Sequence, residues 1–323
     1  MSIFDKANAT LTILSRDAKA LENWINANQS SSSVPSLPII QCTANPVAIN
    51  KQQVSVLLAD PDLAVHIIPE CHNLQWCQST WAGNAPLLAL AKTNYKLTGV
   101  KGIFGKLMRE YVFAHLLYFS RNIPTFQGNQ YQRPPVWCGS ERFPLTGKTL
   151  GILGAGDIAK SLIPVAQSFD MKLVGLTRSG AQQAGYERIY SVDELELFAS
   201  QCDAVVNLMP DTPSTRGIID QAFFRALPEN ALLINAGRGS AIVESDLLWA
   251  LDCGRLKAAV LDVFNVEPLP SDHAFWHHPK IMITAHTAAE SSPEDVASVF
   301  CTNVKRFLNN EPLMYQFDFA KGY

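Results

Sequence analysis

The chain has 323 residues, enough for two domains of ordinary size, each with its own core. Hydrophobic residues make up 47% and charged residues 17%, a globular composition that excludes an intrinsically disordered chain. A formal net charge of −3 gives no electrostatic footing for nucleic acid or an anionic membrane surface.

The N-terminal stretch MSIFDKANATLTILSRDAKAL has no basic segment followed by a signal-type apolar core. No uncharged apolar run reaches about eighteen residues, so no transmembrane helix is expected and the location is expected to be cytoplasmic. LTIL (11–14) reads as a strand, LENWINA (21–27) as helix and QSSSSVPS (29–36) as a polar loop. VSVLLA (54–59) and LQWCQ (74–78) read as further buried strands. The seven cysteines (42, 71, 77, 138, 202, 253 and 301) form no C-x-x-C pair. The five residues between Cys71 and Cys77 suit no common zinc pattern, so buried free thiols in a reducing compartment are expected, and no metal.

GKLMREYVFAHLLYFSRNI (105–123) reads as one long apolar helix buried between two layers, followed by a Pro- and Gln-rich surface loop over 128–144. Regular β-α units come next, with strands at 149–153, 172–177, 204–209, 231–236, 258–264 and 281–285. One intervening helix opens with the capping-box pattern Ser191-x-x-Glu194. A last helix begins with Ser292 as N-cap and Pro293 at the first helical position, and is expected to cross back to the first domain. Continuous apolar strands alternating with helices mean parallel sheets covered on both faces. The expected fold class is α/β, with two Rossmann-like or flavodoxin-like domains, doubly wound parallel sheets and a cleft between them. Residues 1–100 plus 288–323 would form the substrate domain and residues 101–287 the dinucleotide domain, with hinges near 98–104 and 286–291.

TLGILGAGDIAKSLI (149–163) places G-x-G-x-x-A between a strand and a helix. Gly154 permits the tight turn, Gly156 lets backbone approach a pyrophosphate, and Ala159 keeps the helix close to the sheet. Ala155, Asp157 and Ile158 complete the turn. The next strand is followed not by an Asp or Glu for the adenosine ribose but by GLTRSG (175–180), with Arg178 twenty-two residues beyond Gly156. An arginine there accommodates the 2′-phosphate of NADP, with Ser179 as an added hydroxyl donor, so NADP(H) is expected in preference to NAD(H). The alternative for Arg178 is a solvated turn residue.

Three late strands end in polar residues: Arg238 in INAGRGS, Glu267 in LDVFNVEPLP and His286 in ITAHTAA. Arg, Glu and His together suit reduction of a 2-keto acid. The arginine grips the carboxylate and polarises the carbonyl, the histidine donates a proton, and the glutamate keeps the imidazole protonated and oriented. The glycines on either side of Arg238 are expected to let backbone come near a ligand.

These motifs resemble those of the D-isomer-specific 2-hydroxyacid dehydrogenases. The resemblance runs through LTGKTLGILGAGDIA (145–159), LMPDTPSTRGIID (208–220), LLINAGRGSAIVESDLLWAL (232–251), AAVLDVFNVEPLP (258–270) and HPKIMITAHTAA (278–289). It implies Arg238 as the substrate-binding arginine, His286 as acid/base and Glu267 as its partner. It further implies dinucleotide contacts from Met209, Pro210, Thr215, Ala236, Gly237 and Asp262, the last at the nicotinamide carboxamide. QSTWAGN (78–84) is similar to the family's substrate loop, whose backbone N–H groups receive the carboxylate; Trp81, Ala82 and Gly83 take that role by the resemblance. Trp81 is alternatively a packing aromatic, and Asn84 stands where the family pattern has an acidic residue. LMREYVFAHLL (107–117) resembles the first long interdomain helix, through which a homodimer is expected. Arg178-Ser179 and TGVKGIFGKLMREYV (98–112) look most like NADPH-dependent glyoxylate/hydroxypyruvate reductases. The alternatives are the same chemistry on a larger 2-keto acid such as phenylpyruvate, and a non-catalytic dinucleotide-sensing regulator on this fold.

Overall fold

The computed structural model describes residues 9–29, 37–139 and 143–320. Residues 30–36 of the expected polar loop and 140–142 of the expected surface loop lie outside them. The chain divides into two compact units, Met1–Ile103 with Ser291–Tyr323, and Phe104–Glu290.

In the first unit the elements are β1 (Leu11–Leu14), α1 (Ala18–Gln29), β2 (Ile39–Thr43), β3 (Val56–Ala59), α2 (Pro61–Ala64), β4 (Trp76–Ser79), α3 (Ala85–Leu88) and β5 (Lys96–Thr98). All five strands are parallel, in the order β2-β1-β3-β4-β5, which is a doubly wound arrangement. The inner strands β1, β3 and β4 are buried at every position; β1 and β3 are nearly continuous apolar runs, and β4 ends on the buried polar pair Gln78 and Ser79. The two strands absent from the sequence reading, β2 and β5, are the sheet edges. An edge strand has a neighbour on one side only, and IIQCT keeps no fully buried residue to betray it.

The second unit contains α4 (Gly105–Ser120), α5 (Ile123–Tyr131), β6 (Thr149–Leu153), α6 (Ile163–Ser168), β7 (Lys172–Leu176), β8 (Arg188–Tyr190), α7 (Leu195–Ala199), β9 (Ala204–Asn207), α8 (Gln221–Ala226), β10 (Ala231–Asn235), α9 (Glu244–Asp252), β11 (Leu256–Leu261) and β12 (Ile281–Ile283). Its seven parallel strands run β12-β11-β10-β9-β6-β7-β8, so the order reverses between β6 and β9. Alternate residues serve opposite layers, as the twofold period of a strand requires. Val205, Leu233 and Ala259 face Phe198, Phe223, Phe224 and Leu247, while Val206, Leu232 and Val260 face Met108, Val112, Leu116 and Leu162. The last helix, α10 (Pro293–Leu308), is capped by Ser292, whose Oγ accepts from the Asp295 N–H at 3.1 Å, and it packs on α1.

Prolines correct two expected helices. The single helix over 105–123 is broken after Ser120. Asn122 turns left-handed at φ +54°, and α5 begins with Pro124 in its first turn, so the helix also continues to residue 131 where surface loop was expected. Proline has no N–H to donate to the carbonyl four residues back. The helix expected after the glycine turn is a 3₁₀ turn over Ile158–Ser161, and α6 starts only at Ile163, with Pro164 in its first turn for the same reason. The Glu194 carboxylate of the capping box accepts from the Ser191 N–H at 3.0 Å. It too opens a short 3₁₀ turn ahead of α7.

Candidate active site

Every chemistry-bearing residue of the second unit lies just past the carboxyl end of a strand, where parallel sheets gather ligands. His286 follows β12 in a left-handed conformation, φ +58°. That conformation costs a non-glycine residue about 1–2 kcal/mol, and the surrounding hydrogen bonds hold it. The His286 N–H donates to the Asp262 carbonyl at 2.8 Å. The Asp262 carboxylate, on a residue only 1% exposed, takes the Thr284 hydroxyl at 2.6 Å and the N–H groups of Thr287 and Ala288 at 2.9 and 3.0 Å. Asp262 thus clamps both sides of His286.

The imidazole Nδ1 lies 2.8 Å from Glu267 Oε2, while Glu267 Oε1 accepts from the Phe264 N–H at 2.9 Å. A carboxylate only accepts, so Nδ1 carries the proton and Nε2 is left to act outward. Nε2 has no partner among the described residues, and the two side chains are 53% and 36% exposed.

Arg238 stands between Gly237 and Gly239, and both glycines make room for protein backbone. A Cβ on Gly239 would lie 2.0 Å from the Phe264 carbonyl carbon, and one on Gly237 would lie 2.9 Å from the Met209 carbonyl oxygen. Through Gly239 and Phe264 the arginine loop is therefore wedged against the loop that carries Glu267. Arg238 Nη1 donates to the Gly237 carbonyl at 2.6 Å, and the guanidinium has no ion pair among the described residues. The nearby Asp211 is engaged elsewhere: the Arg216 guanidinium holds its carboxyl below the usual range, with a further bond from Ser240 Oγ at 2.8 Å.

Two buried asparagines, Asn207 and Asn235, end β9 and β10 and bond to each other at 2.8 Å. Asn207 Oδ1 accepts from the Met209 N–H at 3.0 Å, and Asn235 Nδ2 donates to the Arg238 carbonyl at 3.1 Å. The Gly237 N–H reaches Asn235 Oδ1 at 3.3 Å, and the Ala236 N–H reaches the Asn207 carbonyl at 3.1 Å. Thr215 Oγ1 lies 2.7 Å from the Pro210 carbonyl and accepts from the Thr212 N–H at 2.9 Å. Met209, Pro210, Thr215, Ala236 and Gly237 are thus held by internal hydrogen bonds of their own loops.

The glycine turn is built differently. Gly154 sits at φ +84°, and a Cβ on it would press at 3.0 Å on the backbone of Leu208 and Met209. The Gly154 and Ala155 N–H groups donate to the Leu176 carbonyl, and the Gly156 N–H to the Gly154 carbonyl. The N–H groups of Asp157 and Ile158 have no partner among the described residues. A Cβ on Gly156 would meet only the Gly154 carbonyl oxygen, at 3.9 Å. Unclaimed N–H groups around open space fit a pyrophosphate. Arg178 and Ser179 follow β7, the strand beside β6. Both are exposed, and the Arg178 guanidinium has no partner among the described residues.

In the first unit the loop after β4 is anchored by Thr80, whose hydroxyl donates to buried Asp60 at 2.7 Å. The Trp81 N–H donates to Ser79 Oγ at 3.0 Å, so it is not open to a carboxylate, contrary to the sequence reading. The N–H groups of Ala82 and Gly83 have no partner among the described residues. Trp81 is 41% exposed and therefore no core residue, while Asn84 is buried beneath the loop with its Oδ1 unpartnered.

The D-isomer specific 2-hydroxyacid dehydrogenase NAD-binding domain matches residues 113–288, more than half of the chain. The chain belongs to this family. A D-isomer specific 2-hydroxyacid dehydrogenase family protein from Aeromonas salmonicida shares 38% identity at a TM-score of 0.89, over 97% of this chain and 99% of that one. The Xanthobacter autotrophicus D-isomer specific 2-hydroxyacid dehydrogenase, solved with NADPH and MES, shares 25% identity at a TM-score of 0.83, over 98% and 99%. An NADPH-dependent glyoxylate/hydroxypyruvate reductase from Sinorhizobium meliloti, solved with NADP and sulfate, shares 26% identity at a TM-score of 0.80, over 98% and 100%. As a 2-hydroxyacid dehydrogenase the chain is an oxidoreductase that works with a nicotinamide dinucleotide on a small 2-hydroxy acid. No helix among the described residues is long and apolar enough to cross a membrane.

Sequence reasoning passed over Asn207, Asn235 and Thr284, which set this dehydrogenase's loops. A signal was available: AVVN, ALLIN and IMIT are apolar strands that each end on one polar residue. Cys71 and Cys77, flagged by their spacing, are buried free thiols, and burial pushes the Cys71 thiol up to about 11.

Proposed function

We propose that this dehydrogenase reduces a small 2-keto acid of the glyoxylate/hydroxypyruvate type to the D-2-hydroxy acid, with NADPH preferred over NADH. The observation that carries the reading is the His286–Glu267 pair, with Nδ1 bonded inward and Nε2 facing outward. In the reduction His286 Nε2 donates its proton to the substrate carbonyl oxygen. Glu267 holds the ring by Nδ1 for this step. The bound dinucleotide supplies the hydride.

Arg238 has donors left over after its bond to Gly237, and an unpaired guanidinium suits a carboxylate with an adjacent carbonyl. The first unit offers a carboxylate the open N–H groups of Ala82 and Gly83. Gly156, Asp157 and Ile158 would receive the pyrophosphate, and Arg178 with Ser179 the 2′-phosphate. Of about four acceptor positions on the Asp262 carboxylate, three are filled, which leaves one for the nicotinamide carboxamide.

Initial rates on glyoxylate, hydroxypyruvate, pyruvate and phenylpyruvate, each with NADPH and NADH, test the reading. Fastest turnover of phenylpyruvate would replace it with the larger-substrate alternative, which the half-exposed Trp81 ring favours. Tight NADPH binding with no oxidation by any keto acid would replace it with a dinucleotide-sensing role. A homodimer belongs to the same reading. Its support is the exposed apolar run Leu107, Ile123, Phe126, Tyr131, Val136 and Trp137, and sedimentation velocity measures it.

A further inference from the structure

Asp262 and Thr284 account for the left-handed turn at His286, and a hydrogen bond from α4 reaches them. Tyr111, on the second turn of α4, places its hydroxyl 2.7 Å from Thr284 Oγ1. The donor can be assigned. Thr284 has one hydroxyl proton, and Asp262 Oδ1 takes it at 2.6 Å because a carboxylate has none to give. Tyr111 therefore donates to Thr284, and Thr284 donates to Asp262. Burial pushes the Tyr111 phenol far above its usual range, so that donor is present at any working pH. The ring is held in place from its own helix. His115 packs against it, tilted by 54° with 4.3 Å between ring centroids, and His115 Nδ1 lies 2.7 Å from the Tyr111 carbonyl.

We propose that Tyr111 is a positioning residue for the reaction, acting through Thr284 and Asp262 to fix the direction in which His286 presents Nε2. The proposal rests on the proposed reductase function. Four bonds join the phenol to the histidine loop: Tyr111 donates to Thr284, Thr284 donates to the Asp262 carboxylate, and the Thr287 and Ala288 N–H groups donate to that same carboxylate. The Tyr111 bond polarises the Thr284 hydroxyl toward Asp262, and all four bonds are buried or part-buried, where hydrogen bonds are strong and a missing partner is costly. Without the phenol Thr284 keeps its bond to Asp262 but is free to turn. The clamp then loosens at the residue two before His286. The left-handed turn has no steric preference of its own to hold it there.

The test uses Tyr111→Phe, Thr284→Ser, Thr284→Val and the double variant Tyr111→Phe/Thr284→Val in the full chain. In Tyr111→Phe the kcat for keto-acid reduction should fall about five- to tenfold, with the keto-acid KM and the NADPH dissociation constant unchanged. Thr284→Ser, which keeps the hydroxyl, should retain turnover that Thr284→Val loses. The double variant should be no slower than Thr284→Val, because the two residues act through one bond. Wild-type kcat in Tyr111→Phe, weaker NADPH binding in place of slower turnover, or additive losses in the double variant would each overturn the proposal. If the wild-type chain reduces no keto acid, the reductase reading fails on its own. Backbone hydrogen exchange over residues 284–288 then decides the relay. Faster exchange in Tyr111→Phe than in wild type supports it, and equal exchange overturns it.

Discussion

The two ends of the second unit's site are made on opposite plans. Around β10, β11 and β12 most polar groups are engaged by the protein itself, and the Arg238 guanidinium and His286 Nε2 are the ones left open among the described residues. Asp262 clamps His286, Glu267 bridges to the Phe264 N–H, and Gly239 fits backbone to backbone. Around β6 and β7 the Asp157 and Ile158 N–H groups and the Arg178 guanidinium are left without partners among the described residues. Proton transfer needs one angle and one tautomer, and internal bonds supply both before any ligand arrives. Anion recognition needs donors that are still open, so the same economy of hydrogen bonds is left incomplete on purpose of binding.

The largest break in this contrast comes from His286. His286→Ala should lower kcat for reduction about 10²- to 10⁴-fold, the usual range for a general acid, and leave the NADPH dissociation constant unchanged. Stopped-flow turnover and fluorescence titration of NADPH separate the two. Loss of NADPH affinity with normal turnover would show that the rigid end serves binding. On the open end, Arg178→Asp should shift the NADPH-to-NADH ratio of kcat/KM toward NADH by about ten- to a hundredfold, the worth of one charge-assisted phosphate contact. An unchanged ratio would leave Arg178 a solvated turn residue.

The same contrast decided what was legible in the sequence. The open end stood out directly, since Gly154, Gly156 and Arg178 are marked by residue type and spacing along one strand-turn-strand. His286, Glu267 and Arg238 also stood out, each being polar at the end of an apolar strand. Their supports did not. Tyr111 and Thr284 are 173 residues apart, and nothing local in LMREYVFAHLL marks a tyrosine that donates across the unit. The glycines beside Arg238 showed that something comes close, and only the fold shows that it is Phe264 and Met209. Edge strands β2, β5 and β8 escaped because an edge is paired on one side only and its apolar run is short or diluted.

Two glycine substitutions sharpen the comparison at a smaller scale. Gly239→Ala forces a Cβ onto the Phe264 backbone and should cost about 1–3 kcal/mol of stability, read as a lower denaturation midpoint in urea. Gly156→Ala places its Cβ in open space and should change stability by no more than about 0.5 kcal/mol. Its effect should fall on NADPH affinity, because the methyl group occupies the approach of the pyrophosphate. Equal destabilisation by both variants would mean that the two ends do not differ in plan.

The smallest effect concerns the carboxylate behind the histidine. In the role proposed for His286, reduction would consume its proton and oxidation of the D-hydroxy acid would need the unprotonated imidazole, so raising the pH should slow the first and speed the second. Glu267→Gln removes a negative charge 2.8 Å from Nδ1 and keeps an acceptor for the Phe264 N–H. Without that charge the imidazole loses its ionic partner, and reduction should slow. Both side chains are partly exposed, so water screens the pair and limits its worth to about 1 kcal/mol or less. At neutral pH that is a loss of about fivefold at most, well short of removing the imidazole. Initial rates in both directions from pH 6 to 9 measure it. A profile that is flat, or identical in Glu267→Gln, with the hydride step shown to limit turnover by a deuterium isotope effect, would remove His286 and Glu267 from the proton path. The rigid end would then be a scaffold for Arg238 alone.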